Sequence, residues 1–250
     1  MSVQKLSLLP AGYCLVDASA LDTRRKVGEM ARLPIWSYLI ETSDGPILID
    51  TGMPESCIHE PAEFFRGTED EGLIVPEMKA QDLITNVIGR CGYQPSDLVC
   101  VVSTHLHFDH AGGNQLFPYT EIVLQRAEYE AALKQDNYFD ICKDPALLYR
   151  FVDGDTELVP GVQLVFTPGH TPGHQSVLVS TPNDTILLAI DAAYHRPNYE
   201  DGVPFAVRDA EKAFDSIAKL KRLTKETSAK VFFGHDAGQA EEWKVYPESY

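Results

Sequence analysis

The stretch Ser103-Thr104-His105-Leu106-His107-Phe108-Asp109-His110-Ala111-Gly112-Gly113-Asn114 puts three histidines and one aspartate within six positions of a chain that holds only 8 histidines. It continues directly from Leu98–Ser103, a short run rich in β-branched residues that reads as a buried strand. In an extended segment His105 and His107 point the same way, so both imidazoles can reach one metal ion. Asp109 and His110 come after the chain turns, and the four side chains can crowd one ion or divide between two. The sequence Ala111-Gly112-Gly113-Asn114 suits a tight turn or a close approach of backbone.

Working outward, further candidate ligands stand at the ends of other expected strands. His170 follows Val162–Phe166, within Thr167-Pro168-Gly169-His170-Thr171-Pro172-Gly173-His174. Asp191 ends the apolar run Thr185–Ile190, where an ionised carboxylate must find a partner or water. His235 follows the strand Lys230–Phe233 in the same way. Asp50, in Ile49-Asp50-Thr51-Gly52, belongs to this class and is expected to accept a hydrogen bond from a ligand histidine. His174 either competes with His170 for a coordination position or supports the site from the following strand. His59 and His195 lie in loops and read as surface residues.

Elsewhere, Trp36–Ile40 and Pro46–Asp50 flank the turn Ser43-Asp44-Gly45 and form a hairpin. Leu83, Ile84, Val87, Ile88 and Cys91 make an apolar stripe of helical period, closed by Gly92 at a C′ position. A strand at Glu121–Leu124 precedes a helix from Ala127 to about Lys134, and Ser176–Val179 is another strand. Asp209 opens a helix that turns Ala213, Phe214, Ile217 and Leu220 inward, with Leu223 a further candidate. Three stretches, Ala18–Pro34, Ser56–Glu77 and Ala193–Val207, fit no regular element and read as lids or binding loops. Strands mixed with separated helices give an α/β fold of two sheets with helices outside. With no linker or low-complexity tract, residues 1–250 read as a single domain.

The chain has 250 residues, enough for a sizeable core without disulfides or a structural metal. Asp and Glu total 37 against 21 Lys and Arg, and the resulting charge of -16 repels phosphate backbones, so nucleic acid is not the expected partner. The 5 cysteines contain no Cys-x-x-Cys pair and read as free thiols of a reducing compartment. The N-terminal apolar stretch is too short for a signal peptide, and no run approaches a membrane span, so a cytoplasmic protein is expected.

Taken together, these motifs resemble the metallo-beta-lactamase superfamily, and within it the N-acyl homoserine lactonases. The similarity extends over nearly the whole chain. Besides Ser103–Asn114 and Thr167–Ser176 it includes Leu9-Pro10-Ala11-Gly12, Gly45–Glu55, Asp191-Ala192-Ala193-Tyr194, Phe233-Gly234-His235-Asp236 and Val245-Tyr246-Pro247-Glu248. The resemblance implies an αββα sandwich of two mixed sheets, helices on the outer faces, and an active site along one sheet edge. It implies that His105, His107 and His170 hold one divalent metal, that Asp109, His110 and His235 hold a second, and that Asp191 bridges them. It selects His170 over His174.

The implied cofactors are two metal ions, Zn²⁺ by default, with Fe, Co or Mn fitting the same nitrogen and oxygen donors. The implied substrate is a small-molecule lactone, opened by a hydroxide shared between the metals. Tyr194 would donate a hydrogen bond to the carbonyl, and Asp109 would carry the proton to the leaving oxygen. Met30, Phe64, Phe65 and Phe108 are candidate substrate-pocket residues, and a homodimer is a candidate assembly. The same scaffold also serves thioesterases resembling glyoxalase II, phosphodiesterases, beta-lactamases and non-catalytic redox modules. The single Arg and several acids of Ser56–Glu77 suit a bulky anionic thioester poorly.

Overall fold

Alternation with period two decides where each strand's side chains go. Leu6 and Leu8, Trp36, Tyr38 and Ile40, Ile47 and Ile49 face one way, and Val162 and Leu164, Val177 and Val179, Ile186, Leu188 and Ile190 face them from a second sheet, forming one buried cluster. The opposite parity (Leu9, Leu39, Leu48 and Val101) packs outward onto a helix through Ile84, Val87 and Ile88. Val165, Leu178, Leu187 and Ala189 do the same against Ala213, Ile217 and Leu220. Strands apolar on both faces are therefore covered on both faces.

In the computed structural model, which describes residues 2–61, 64–135 and 138–250, the strands are β1 (Val3–Asp17), β2 (Met30–Thr42), β3 (Gly45–Ile49), β4 (Ile74–Glu77), β5 (Cys100–Val102) and β6 (Ile122–Gln125), followed by β7 (Tyr149–Val152), β8 (Thr156–Val159), β9 (Val162–Phe166), β10 (Gln175–Ser180), β11 (Thr185–Ile190) and β12 (Lys230–Phe233). The helices are α1 (Ser56–His59), α2 (Ile84–Arg90), α3 (Phe108–Ala111), α4 (Arg126–Ala132), α5 (Arg196–Asp201), α6 (Ala210–Thr227) and α7 (Gln239–Glu242). A 7-stranded sheet has the order β4-β1-β2-β3-β5-β6-β7 and a 5-stranded sheet the order β12-β11-β10-β9-β8. Both are mixed: β3, β5, β6 and β7 run parallel in the first, and only β11 and β12 do in the second. This is the αββα arrangement of two mixed sheets flanked by helices. No helix among the described residues is long and apolar enough to cross a membrane.

The expected hairpin, the helix closed by Gly92 in the left-handed region, and the helix capped by Asp209 are all present. In the last of these Phe214, expected to turn inward, is exposed, because the buried face runs through Ala213, Ser216, Ile217 and Leu220. Three further expectations need correction. The long strand β1 has no counterpart among the expected elements; Pro10 and Gly12, residues that disfavour a regular strand, sit at a register shift against β2, between Pro10 and Tyr13, where a bulge tolerates both. The edge strands β4, β7 and β8 are short and only partly buried, so they lack a strong alternating pattern. The three unassigned stretches are also not wholly irregular. Ala18–Pro34 runs into β2, Ser56–Glu77 contains α1 and β4, and Ala193–Val207 contains α5.

Leu188 lies fully buried between the sheets. Leu188→Ala is expected to cost about 2–5 kcal/mol of unfolding free energy. Urea denaturation checks this, and a loss below about 1 kcal/mol would contradict the interior placement.

Candidate metal centre

The C-terminal ends of β3, β5, β9, β11 and β12 deliver Asp50, the His105–His110 segment, His170, Asp191 and His235 to one place. Two of these turns use backbone that side chains rarely adopt. Asp50 has φ 60 and Ile190, just before Asp191, has φ 53. A left-handed β-branched residue costs about 1–3 kcal/mol and persists only where its surroundings over-determine it. Gly112 and Gly113 serve close approach. A Cβ on Gly112 would lie 2.3 Å from the Phe108 carbonyl oxygen, and one on Gly113 would lie 2.5 Å from that of Thr51.

Seven donors fall into two groups, His105, His107, His170 and Asp191 in one and Asp109, His110 and His235 in the other. In the first, His105 Nε2 is 3.1 Å from His107 Nδ1 and 3.2 Å from His170 Nε2, and His107 Nδ1 and His170 Nε2 are 2.9 Å apart. Three ring nitrogens turned on one another cannot all be satisfied by mutual hydrogen bonds. Their spacing approaches the edge of about 3.3 Å expected of a tetrahedron with metal–nitrogen bonds of about 2.0–2.1 Å.

Asp191 faces both groups. Its Oδ2 is 3.2 Å from His170 Nε2, and its Oδ1 is 3.2 Å from His235 Nε2 and 3.4 Å from His110 Nε2. Asp109 Oδ2 closes the second group at 3.5 Å from His110 Nε2 and 3.6 Å from His235 Nε2. His110 Nε2 and Asp191 Oδ1 are buried without a hydrogen-bond partner. With Nδ1–H of His110 turned to Asp50, both orphans are acceptors, and two buried acceptors aimed at a common point are what a cation would satisfy.

The outward nitrogens fix the ring orientations. With Nε2 turned inward, Nδ1–H of His105 donates to Thr104 Oγ1 at 3.2 Å, that of His110 to Asp50 Oδ2 at 2.8 Å, that of His170 to the Tyr194 hydroxyl at 3.2 Å, and that of His235 to the Pro34 carbonyl at 2.9 Å. Asp50 also accepts from the backbone N–H and hydroxyl of Thr104, both at 2.8 Å. His174 faces away from the donors: its Nε2 accepts the Asp191 backbone N–H at 3.1 Å. His59 is exposed, and His195 bonds its neighbour Asn198.

Burial drives the imidazoles of His105 and His170 well below their ordinary pKa and that of His107 down to about 4. Burial acts the same way on His110, but Asp191, Asp109 and Asp50 outweigh it and hold that ring well above its usual value; Asp191 likewise raises His235. The carboxylates thus draw positive charge into the second group. A divalent cation supplies that charge and releases the protons.

Phe64, Phe65 and Phe108 pack with Phe139 beside the site. Phe64 lies tilted against Phe139 with centroids 4.4 Å apart, and Phe65 meets Phe108 edge-on at 4.9 Å. Met30 is outside this cluster, exposed at the first position of β2 opposite Asp17. Tyr194 donates to the Ala206 carbonyl at 3.1 Å. Burial and the nearby Asp191 and Asp109 keep its phenol proton in place well above the usual range.

The metallo-beta-lactamase superfamily profile matches residues 30–235. An N-acyl homoserine lactonase of Bacillus thuringiensis is 49% identical over 249 residues, covering 99% of each chain. The chain belongs to the metallo-beta-lactamase superfamily, in its N-acyl homoserine lactonase branch. A more distant lactonase of this branch, from Rhizobium radiobacter, is 30% identical over 260 residues and 98% of each chain. The solved structure of an N-acyl homoserine lactone hydrolase, with the product N-hexanoyl-L-homoserine at its catalytic metal center, superposes with TM-score 0.97 at 49% identity and covers 100% of both chains.

Sequence reasoning missed Phe139, Thr104 and the buried Glu128, whose carboxylate accepts from Leu106 N–H, Thr171 Oγ1 and Gly173 N–H. The available signal for Glu128 was its position one turn from a strand end, at the start of an otherwise ordinary helix. Gly173 is confined by the same contact, since a Cβ there would lie 2.2 Å from the Glu128 backbone nitrogen. Gly173→Ala is therefore expected to destabilise the fold by about 1–3 kcal/mol or more, because helix backbone cannot step aside. Chemical denaturation reads this, and a neutral substitution would contradict the packing.

Proposed function

We propose that this chain hydrolyses the lactone ring of N-acyl homoserine lactones in a metal-dependent reaction, opening it to the N-acyl homoserine. The observation that carries this reading is the placement of Asp191 with one carboxylate oxygen toward each of two ligand groups, in a chain similar over its full length to N-acyl homoserine lactonases. His105, His107 and His170 would hold one ion, Asp109, His110 and His235 the other, and Asp191 both. The donors are nitrogen and oxygen without thiolate, and Zn²⁺ is the ion we assign, with Fe, Co and Mn as chemically competent substitutes. Two such cations would polarise the lactone carbonyl and bring the pKa of a water down toward neutrality.

The remaining work falls to the chain's own side chains. Tyr194, protonated and half-buried above His170, has one hydroxyl proton to give. It rests on the Ala206 carbonyl and turns to the lactone carbonyl oxygen as negative charge develops there. Asp109 is the partly exposed carboxylate of the set. It takes the proton released as water adds to the carbonyl carbon and passes it to the ring oxygen as the ring C–O bond breaks. The Phe64, Phe65, Phe108 and Phe139 cluster supplies an apolar wall for an acyl chain, excluding water beside the reacting carbonyl.

Incubating the metal-loaded protein with a panel of N-acyl homoserine lactones should give a mass gain of one water, abolished by chelation and restored by divalent ions. A thioester and a phosphodiester run beside it; turnover of either in place of the lactones would overturn the assignment. Tyr194→Phe is expected to lower kcat about 10²-fold with metal content unchanged. An unchanged kcat with weakened metal retention would leave Tyr194 only as a support for His170.

A further inference from the structure

Glu128 is fully buried near the start of α4, and its carboxylate is engaged on both oxygens. Oε1 accepts from the Leu106 backbone N–H at 3.1 Å, and Oε2 accepts from the Thr171 hydroxyl at 2.7 Å and the Gly173 N–H at 2.9 Å. Leu106 lies between His105 and His107, and Thr171 follows His170. One side chain therefore ties together the two loops that supply all the imidazoles of the first ligand group. The second group is braced differently, through Asp50 on His110 and the Pro34 carbonyl on His235. An element that merely closed α4 onto the sheet could be apolar here, as Ala131 and Ala132 are on the same buried helix face. A buried carboxylate is retained at a cost and persists where several donors converge on it.

We propose that Glu128 is a positioning residue that locks the His105/His107 loop against the His170 loop and so sets metal affinity at the three-histidine position, leaving the Asp109/His110/His235 position largely unaffected. The inference rests on the reading of this site as a two-metal centre. Glu128→Gln preserves volume but not acceptor capacity. Whichever way the amide turns, its NH₂ meets a backbone N–H, from Leu106 on one side or from Gly173 on the other. At least one donor is left unpaired, and the two loops lose their common anchor.

The test is competition of the metal-freed protein with a chelating indicator for Zn²⁺, resolving two stepwise constants. It is paired with proton spectra of the Co²⁺ form, in which ring N–H signals of ligand histidines are strongly displaced. Glu128→Gln should weaken one of the two constants about 10–100-fold and leave the other near its original value. At one equivalent of Co²⁺ the variant should show displaced ring signals from His110 and His235 alone. Glu130→Gln, exposed on the same helix, should match the unaltered protein in both readouts. Thr171→Val removes one of the three bonds; should Glu128→Gln fail to fold, this variant must give a smaller loss at the same position. Equal weakening of both constants, or a lowered melting temperature with both constants intact, would overturn the proposal. A single binding event in the unaltered protein would overturn the two-metal reading itself, a distinct result seen without any substitution.

Discussion

The site depends on one buried carboxylate between two sets of imidazoles. Asp191 puts Oδ2 toward His170 and Oδ1 toward His235 and His110, and an ionised carboxylate in such a place is tolerable only if positive charge surrounds it. Burial pushes its carboxyl up, yet His235, His110 and His170 together hold it well below the ordinary range. Much of the surrounding architecture serves this arrangement. The Asp191 N–H is held by His174, and the residue before it takes a left-handed turn. Gly234 leaves room for Asp191, since a Cβ there would lie 2.6 Å from Asp191 Oδ1.

The sandwich makes these demands affordable because two strands that carry donors, β5 and β11, are covered on both faces. β11 alternates Ile186, Leu188 and Ile190 toward the opposite sheet and Leu187 and Ala189 toward α6, so its end is fixed from both sides. β5 is covered on both faces in the same way, with Val102 in the inner cluster and Val101 in the outer one. Rigid strand ends, short loops and a hydrogen bond on the outward nitrogen of most of the histidines give a donor set assembled before any ion arrives. The aromatic cluster of Phe64, Phe65, Phe108 and Phe139 then makes the neighbouring volume apolar, which suits a ligand with a polar ring and a hydrocarbon tail.

How much of this was legible in the sequence depended on the range of the interactions. Strands with two covered faces, such as Thr185–Ile190, read directly because burial forces apolar runs. The His105–His110 cluster read directly because metal binding needs several donors in little chain. β1 did not, because a bulge absorbs Pro10 and Gly12 only once β2 is in place. Glu128 did not either: it looks like any helix carboxylate until Leu106, Thr171 and Gly173 are folded against it. The bracing of His235 by Pro34 was equally hidden, since a backbone carbonyl carries no residue-type signal. What a sequence shows poorly is the partner of a polar group far along the chain, and these partners hold the site in shape.

The most direct test of this account is anomalous diffraction from crystals of the Zn²⁺-loaded protein, recorded on both sides of the zinc absorption edge. Two peaks about 3.5–4 Å apart are predicted, one among His105, His107 and His170 and one among Asp109, His110 and His235, with a different oxygen of Asp191 bound to each. A single peak, or two peaks with Asp191 bound to only one of them, would contradict it.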